Sequence, residues 1–223
     1  MNTPPRDRER PVRLYTYFRS GTSHRVRIAL NLKGLAYEPI HVHLARGEHR
    51  QDGYLALNPQ GLLPLLEDGE ARVSQSLAII EYLERTRPEP PLLPADPAGQ
   101  ARVRSLALIC ACEMHPLNNL RVLKHLQGPL GLDQAARDAW CRHWMEEGFG
   151  ALERRLASEP ETGRFCHGDR PTLADVCLVP QVVSSRRWGT DLSPYPTVRR
   201  IHDACLELEA FVAAMPANQP DAD

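Results

Sequence analysis

Residues 58–88 read NPQGLLPLLEDGEARVSQSLAIIEYLERTRP, and this stretch decides the fold. Leu62 to Leu66 and Ala71 to Val73 are short apolar runs on either side of a turn signal at Asp68-Gly69, which is the pattern of a β-hairpin. Directly afterwards the apolar spacing lengthens to that of a helix, through Leu77, Ile80 and Leu83. A helix from about Gln75 to Thr86 therefore follows the hairpin, with Ser74 placed to cap it. Working back toward the start, Val12 to Phe18 reads as a strand. Ser23 to Lys33 reads as a helix, apolar at Val26, Ile28, Ala29, Leu30 and Leu32 and stopped by Gly34. Ala36 to Leu44 is a second strand, and Gln51 to Leu57 a short helical segment. The order is β-α-β-α-β-β-α over residues 12–87.

Working forward, the proline-rich segment 88–97 reads as a linker. Beyond it the strand signal is gone. Helical patterns run from Gly99 to Gln127, Asp133 to Ser158, Thr172 to Arg187 and Pro196 to Ala214, which makes residues 98–223 an all-α domain. The opening residues 1–11 mix arginines with acids, lack an apolar core segment, and read as a frayed, disordered tail, neither export signal nor membrane span. A formal net charge of −1 excludes a global basic field, so neither nucleic acid nor an anionic membrane surface is an expected partner. The six cysteines contain no C-x-x-C pair and are expected as free thiols in the cytoplasm. Cys110, Cys112 and His115 would scatter around a helix, so no metal is expected.

The residues and their order resemble the cytosolic glutathione transferases. NPQGLLPLLEDG is similar to the family segment in which a cis-proline, here Pro64, precedes the third strand and leaves the backbone of Leu63 open to glutathione. SQSLAIIEYLE is similar to the helix whose start, at Gln75 and Ser76, holds the γ-glutamyl end, and GDRPTLADVCLVPQV resembles the structural capping motif, with Thr172 and Asp175 as a capping box. The resemblance implies a thioredoxin-like α/β N-terminal domain, an all-α C-terminal domain, and a homodimer. Within the family, RSGTSHRVRIALNLKG (residues 19–34) is closest to the zeta class, which carries Ser-Ser-Cys after its first strand; this chain has Ser20-Gly21-Thr22 and resembles the bacterial maleylpyruvate isomerase branch.

That branch implies a glutathione-dependent cis–trans isomerase converting maleylpyruvate to fumarylpyruvate, in which the thiolate adds to a conjugated double bond and leaves again. The alternatives are isomerisation of maleylacetoacetate and conjugation or dehalogenation of small electrophiles. Ser20 is the expected thiolate donor, with Thr22 beside it at the mouth of the first helix. Carboxylates ask for arginine's planar fork, and Arg19, Arg121 and Arg187 match the branch's substrate-binding positions. His115 and Asn119, with Asn118, are expected on one helical face near the cleft, and His49 and Gln60 within reach of glutathione. Arg25 and Arg27 read as solvated or helix-packing charges.

Overall fold

The structure is a computed structural model that describes residues 11–222. Of the expected tail, all but Pro11 lies outside the described residues. The chain divides into two compact units: one runs to Pro90 and resumes at Glu209, and the other is Pro91–Leu208.

The first unit contains β1 (Val12–Thr16), α1 (Gly21–Leu32), β2 (Tyr37–His41), α2 (Asp52–Leu55), β3 (Leu65–Asp68), β4 (Ala71–Ser74), α3 (Ser76–Thr86) and α9 (Glu209–Ala214). Its strands lie in the order β2-β1-β3-β4. β1 runs parallel to β2, pairing Val12 with Tyr37 and Thr16 with His41, and antiparallel to β3. The hairpin pairs Asp68 with Ala71, so its loop is Gly69-Glu70, one residue later than the sequence suggests, with Gly69 at φ 61°. Leu14 and Leu66 on the sheet, Val26, Ile28 and Leu30 on α1, and Ile79 and Leu83 on α3 are fully buried. Each such side chain contributes roughly 1.5–3 kcal/mol.

α1 begins two residues earlier than its periodicity suggests, because Ser20 caps it, and it ends at Leu32, with Gly34 at φ 64° turning the chain just beyond. The Leu35 N–H donates to Leu30 O and the Gly34 N–H to Asn31 O, which is the Schellman arrangement. Ser74 does not cap α3. It stays in the hairpin ladder opposite Leu65, and Gln75 takes the cap position.

Of the two alternatives read for Arg25 and Arg27, solvated or helix-packing charges, the solvated one is corrected: both are buried, at 1% and 0% exposure. Arg27 donates to Thr16 Oγ1, to the carbonyls of Tyr17 and Phe18, and through Nε and Nη2 to that of Ala214. Asn31 Nδ2 donates to Ala210 O. These bonds are why residues from Glu209 onward belong with the first unit, where the sequence pattern had drawn the helical domain through to residue 223.

The second unit contains α4 (Pro97–Leu108), α5 (Leu120–Gln127), α6 (Gln134–Ser158), α7 (Leu173–Arg186) and α8 (Pro196–Leu206). Asp96 Oδ1 caps α4 by accepting the Gly99 N–H at 2.7 Å. The single helix expected from Gly99 to Gln127 is broken into α4, a π-helical stretch Ile109–Met114, a 3-10 turn His115–Asn118 and α5. Pro116 has no N–H for the helical ladder, and the backbone adjusts around it. The helix expected to run to Ala214 stops at Leu206. Among the described residues no helix is long and apolar enough to cross a membrane, and the cysteines form no disulfide.

At the start of α7 the buried Asp175 carboxylate accepts the Thr172 N–H at 2.8 Å, the Thr172 hydroxyl at 2.9 Å and the Cys166 N–H at 2.8 Å. Burial pushes its pKa up, and these donors oppose the rise. Removing the carboxylate strands buried donors from two segments of chain. Asp175→Ala should destabilise the protein by about 3 kcal/mol, read as a lower urea midpoint with an unchanged slope; a midpoint within error of the parent would contradict the assignment.

Candidate functional site

The loop from β1 into α1 presents Ser20 as the N-cap of α1. Its Oγ accepts the Ser23 N–H at 3.2 Å and lies 2.9 Å from Thr22 Oγ1. Thr22 Oγ1 in turn donates to the Leu63 carbonyl at 3.0 Å. Each hydroxyl carries one proton. With Thr22's committed to Leu63, the Ser20–Thr22 bond is made by the Ser20 proton. The chain of donors runs from Ser20 to Thr22 to Leu63. Ser20 is 9% exposed, so the residue is largely buried.

Leu63 precedes Pro64 through a cis peptide bond, and β3 starts at Leu65. The Leu63 N–H has no hydrogen-bond acceptor among the described residues. The loop before it is fixed from beneath: Tyr54 Oη and Asn58 Nδ2 both donate to Leu62 O, at 2.6 and 2.8 Å. Burial raises the Tyr54 phenol to about 12, so it remains a donor. Gly61, at φ 58°, passes close over the backbone of the buried His49; a side chain there would meet His49 O at 2.9 Å.

Across the same face, Gln75 Nε2 donates to Gln60 Oε1 at 2.7 Å. Gln75 has φ 71° and is the one non-glycine residue with positive φ among the described residues. Ser76 opens α3, is 4% exposed, and its Oγ lies 3.5 Å from Arg25 Nη1. Neither α1 nor α3 carries an acidic side chain in its first turn. Their free N–H ends and aligned peptide dipoles therefore favour an anion without competition.

Ser20, Thr22 and Leu63 are thus joined in one hydrogen-bonded chain and Gln60 and Gln75 in another. His49 lies beneath the Gly61 loop. Arg19 is exposed with its guanidinium 4.9 Å from the centre of the Phe18 ring. In the second unit, Arg121 is exposed in the first turn of α5, and Arg187 is exposed at the end of α7, 5.6 Å from the centre of the Trp188 ring. The expected helical face of His115, Asn118 and Asn119 is not formed. His115 opens the 3-10 turn, and Asn119 lies beyond it as the cap of α5, where its Oδ1 accepts the Arg121 and Val122 N–H groups. Tyr54 and Asn58, which hold the Leu62 carbonyl, escaped the sequence reading. Asn58 at the head of the N-P-Q-G turn was a usable signal, since asparagine fixes turns through its own side chain.

Residues 14–91 match the family model described as Glutathione S-transferase, N-terminal domain, and residues 134–204 the one described as Glutathione S-transferase, C-terminal domain. The chain is 54% identical to a maleylpyruvate isomerase from Ralstonia sp, over 94% of this chain and 99% of that protein. A holo structure of maleyl pyruvate isomerase, described as a bacterial glutathione S-transferase in the zeta class, superposes with a TM-score of 0.93 at 54% identity, covering 95% of this chain and all of that one. A maleylacetoacetate isomerase from Methylobacterium extorquens, solved with bound malonate and GSH, gives a TM-score of 0.92 at 44% identity, covering 95% and 99%.

The backbone of Gln75 predicts a trade between stability and binding. A non-glycine residue held there costs about 1–3 kcal/mol, and such strain gathers at ligand sites. Gln75→Gly should raise the stability of the unliganded protein by about 1 kcal/mol in denaturant titration. A stability that falls instead would show that the conformation carries no strain.

Proposed function

The chain belongs to the glutathione S-transferase family, in its zeta class, and from that premise we propose that it is the glutathione-dependent cis–trans isomerase that converts maleylpyruvate to fumarylpyruvate. The observation that carries this reading is the 54% identity to the Ralstonia maleylpyruvate isomerase along nearly the whole of both chains.

Glutathione fits the donors present. Its γ-glutamyl carboxylate calls for N–H groups with no acid nearby, which the start of α3 at Gln75 and Ser76 offers. Its cysteinyl backbone calls for an open strand-edge donor, which is the Leu63 N–H beside Pro64. When bound, glutathione supplies a thiolate that adds to the conjugated double bond, leaves a rotatable single bond, and departs unchanged.

The chain's part is to make and hold that thiolate. A hydroxyl donated to sulfur stabilises the charged form, as does the N-terminal end of α1. Ser20 is the residue for this: its proton rests on Thr22 and can turn outward to an arriving anion, while Thr22 keeps its own proton on Leu63. Thr22 therefore orients Ser20 and ties it to the Leu63 peptide. Arg19, Arg121 and Arg187 take the substrate's two carboxylates, each with a fork that stays charged at any working pH. His49, Gln60, His115 and Asn119 complete the proposed glutathione contacts, Gln60 through its bond to Gln75. Cysteines that form no disulfide support a reducing compartment, the cytoplasm, and family membership supports a homodimer.

A second reading is isomerisation of maleylacetoacetate, favoured by the Methylobacterium extorquens structure so named. Ultraviolet absorbance of each substrate, with and without glutathione, separates the two, and titration of free thiol runs alongside. Maleylpyruvate should turn over only with glutathione, at constant thiol. Turnover of maleylacetoacetate alone sinks the first reading, and stoichiometric thiol loss makes the protein a conjugating transferase. Ser20→Ala should lower kcat roughly 100-fold, and Thr22→Val roughly tenfold. Arg187→Ala should raise the KM for substrate by roughly 10–100-fold with a smaller change in kcat.

A further inference from the structure

The corner Tyr17–Ser20 leaves the carboxyl end of β1, where ligands of α/β sheets gather. It is held at its amide side by a residue nearly the whole chain away. Asp221 Oδ2 accepts the Phe18 N–H at 3.0 Å, and Asp221 Oδ1 lies 3.2 Å from His41 Nδ1. The side chain of Asp221 is 13% exposed, so this carboxylate is largely shielded from solvent. His41 is the β2 residue paired with Thr16, so Asp221 clips together the ends of the parallel strands β1 and β2.

On the carbonyl side, Phe18 O accepts Arg27 Nη2 at 3.1 Å. Tyr17 O accepts both the Ser20 N–H at 3.0 Å and Arg27 Nη1 at 3.3 Å. The peptide entering Phe18 is therefore held at both its N–H and its carbonyl, and the peptide leaving it at its carbonyl. Arg27 is itself seated on Ala214 O, within the same returning segment that carries Asp221. A charge-assisted bond from a backbone N–H to a carboxylate is short and directional. One residue beyond Phe18 stands Arg19, and one further Ser20.

We infer that Asp221 is a positioning residue for the reaction: by holding the Phe18 peptide it aims the Ser20 hydroxyl at the thiol, and its loss weakens the thiolate without removing any group that touches it. The inference rests on the assignment of Ser20 to glutathione. Replacing Asp221 leaves that peptide held through the Tyr17 carbonyl alone, by the Ser20 N–H and Arg27, so that it tilts about those bonds, and the tilt passes through Arg19 to the cap of α1.

The test is a titration of bound glutathione by ultraviolet thiolate absorbance, together with kcat and KM, on the full chain carrying Asp221→Ala or Asp221→Asn. Asn keeps a neutral acceptor for the Phe18 N–H; Ala keeps none. Asp221→Ala should leave roughly tenfold less thiolate at a pH below the thiol pKa, with kcat reduced in proportion and the KM for substrate little changed. Asp221→Asn should fall between Ala and the parent. If Asp221→Ala does not fold, Asp221→Asn and His41→Ala carry the comparison, each expected to show a smaller loss of thiolate. A thiol titration and kcat equal to the parent's, with only a lower melting temperature, would overturn the inference and leave Asp221 a simple staple. The parent's own glutathione-dependent turnover, measured in the same series, separates failure of this inference from failure of the isomerase reading.

Discussion

The buried guanidinium of Arg27 is the interaction on which the rest of the first unit depends. A charge in the interior costs several kcal/mol unless its protons are matched, and here they meet Thr16, Tyr17, Phe18 and Ala214. Burial lowers its pKa to about 10, the nearby Tyr37 and Asp221 partly opposing the fall, so the group remains charged near neutrality. Lysine offers three donors from a point; only arginine's rigid fork spans acceptors on two separate segments. The same group therefore shapes the corner after β1 and draws the segment after Glu209 back to the sheet.

Near that corner other donors are left open. The Leu63 N–H is unpaired among the described residues, and the starts of α1 and α3 lack the acidic side chains that ordinarily neutralise helix N-termini. Each open donor can bond an arriving acceptor without breaking a hydrogen bond within the protein. The structure surrounds them with heavily braced elements: Tyr54 and Asn58 on the Leu62 carbonyl, and Gln60 on Gln75. Rigid support lets the unsatisfied groups persist without collapse onto one another.

Much of both units was legible in the sequence where the signals are local. The hairpin, the stop at Gly34 and the capping box of Thr172 and Asp175 each depend on a few adjacent residues. What escaped depends on distant chain. Arg25 and Arg27 lie two apart on α1, a spacing that fits solvated as well as helix-packing charges, and no local pattern announces that Arg27 will reach Ala214 O or that Arg25 will lie against Ser76. Ser74 looked like a cap, but its place opposite Leu65 in the ladder outweighs the capping preference, and Gln75 must take the turn at positive φ. Pro116 was visible, yet how the backbone accommodates it is a matter of packing, and the resulting π and 3-10 turns reassign Asn119 to the cap of α5. Asp221 left no trace in its own neighbourhood at all.

The threonine at position 22 gains its meaning from the hydrogen bonds around it. A hydroxyl both donates strongly to Leu63 O and accepts from Ser20, whereas a thiol does each weakly. Placing oxygen here also leaves this corner without a thiol of its own. Burial raises the thiol of Cys141 to about 12 and pushes those of Cys166 and Cys205 well upward, so these cysteines stay protonated and unreactive. A protein whose nucleophile is borrowed has reason to keep its own thiols quiet, because an endogenous thiolate at the cleft would add to the same double bond and, tethered, would be slow to leave. Ser20-Gly21-Thr22 is thus consistent with chemistry in which the chain orients and stabilises sulfur that it does not supply.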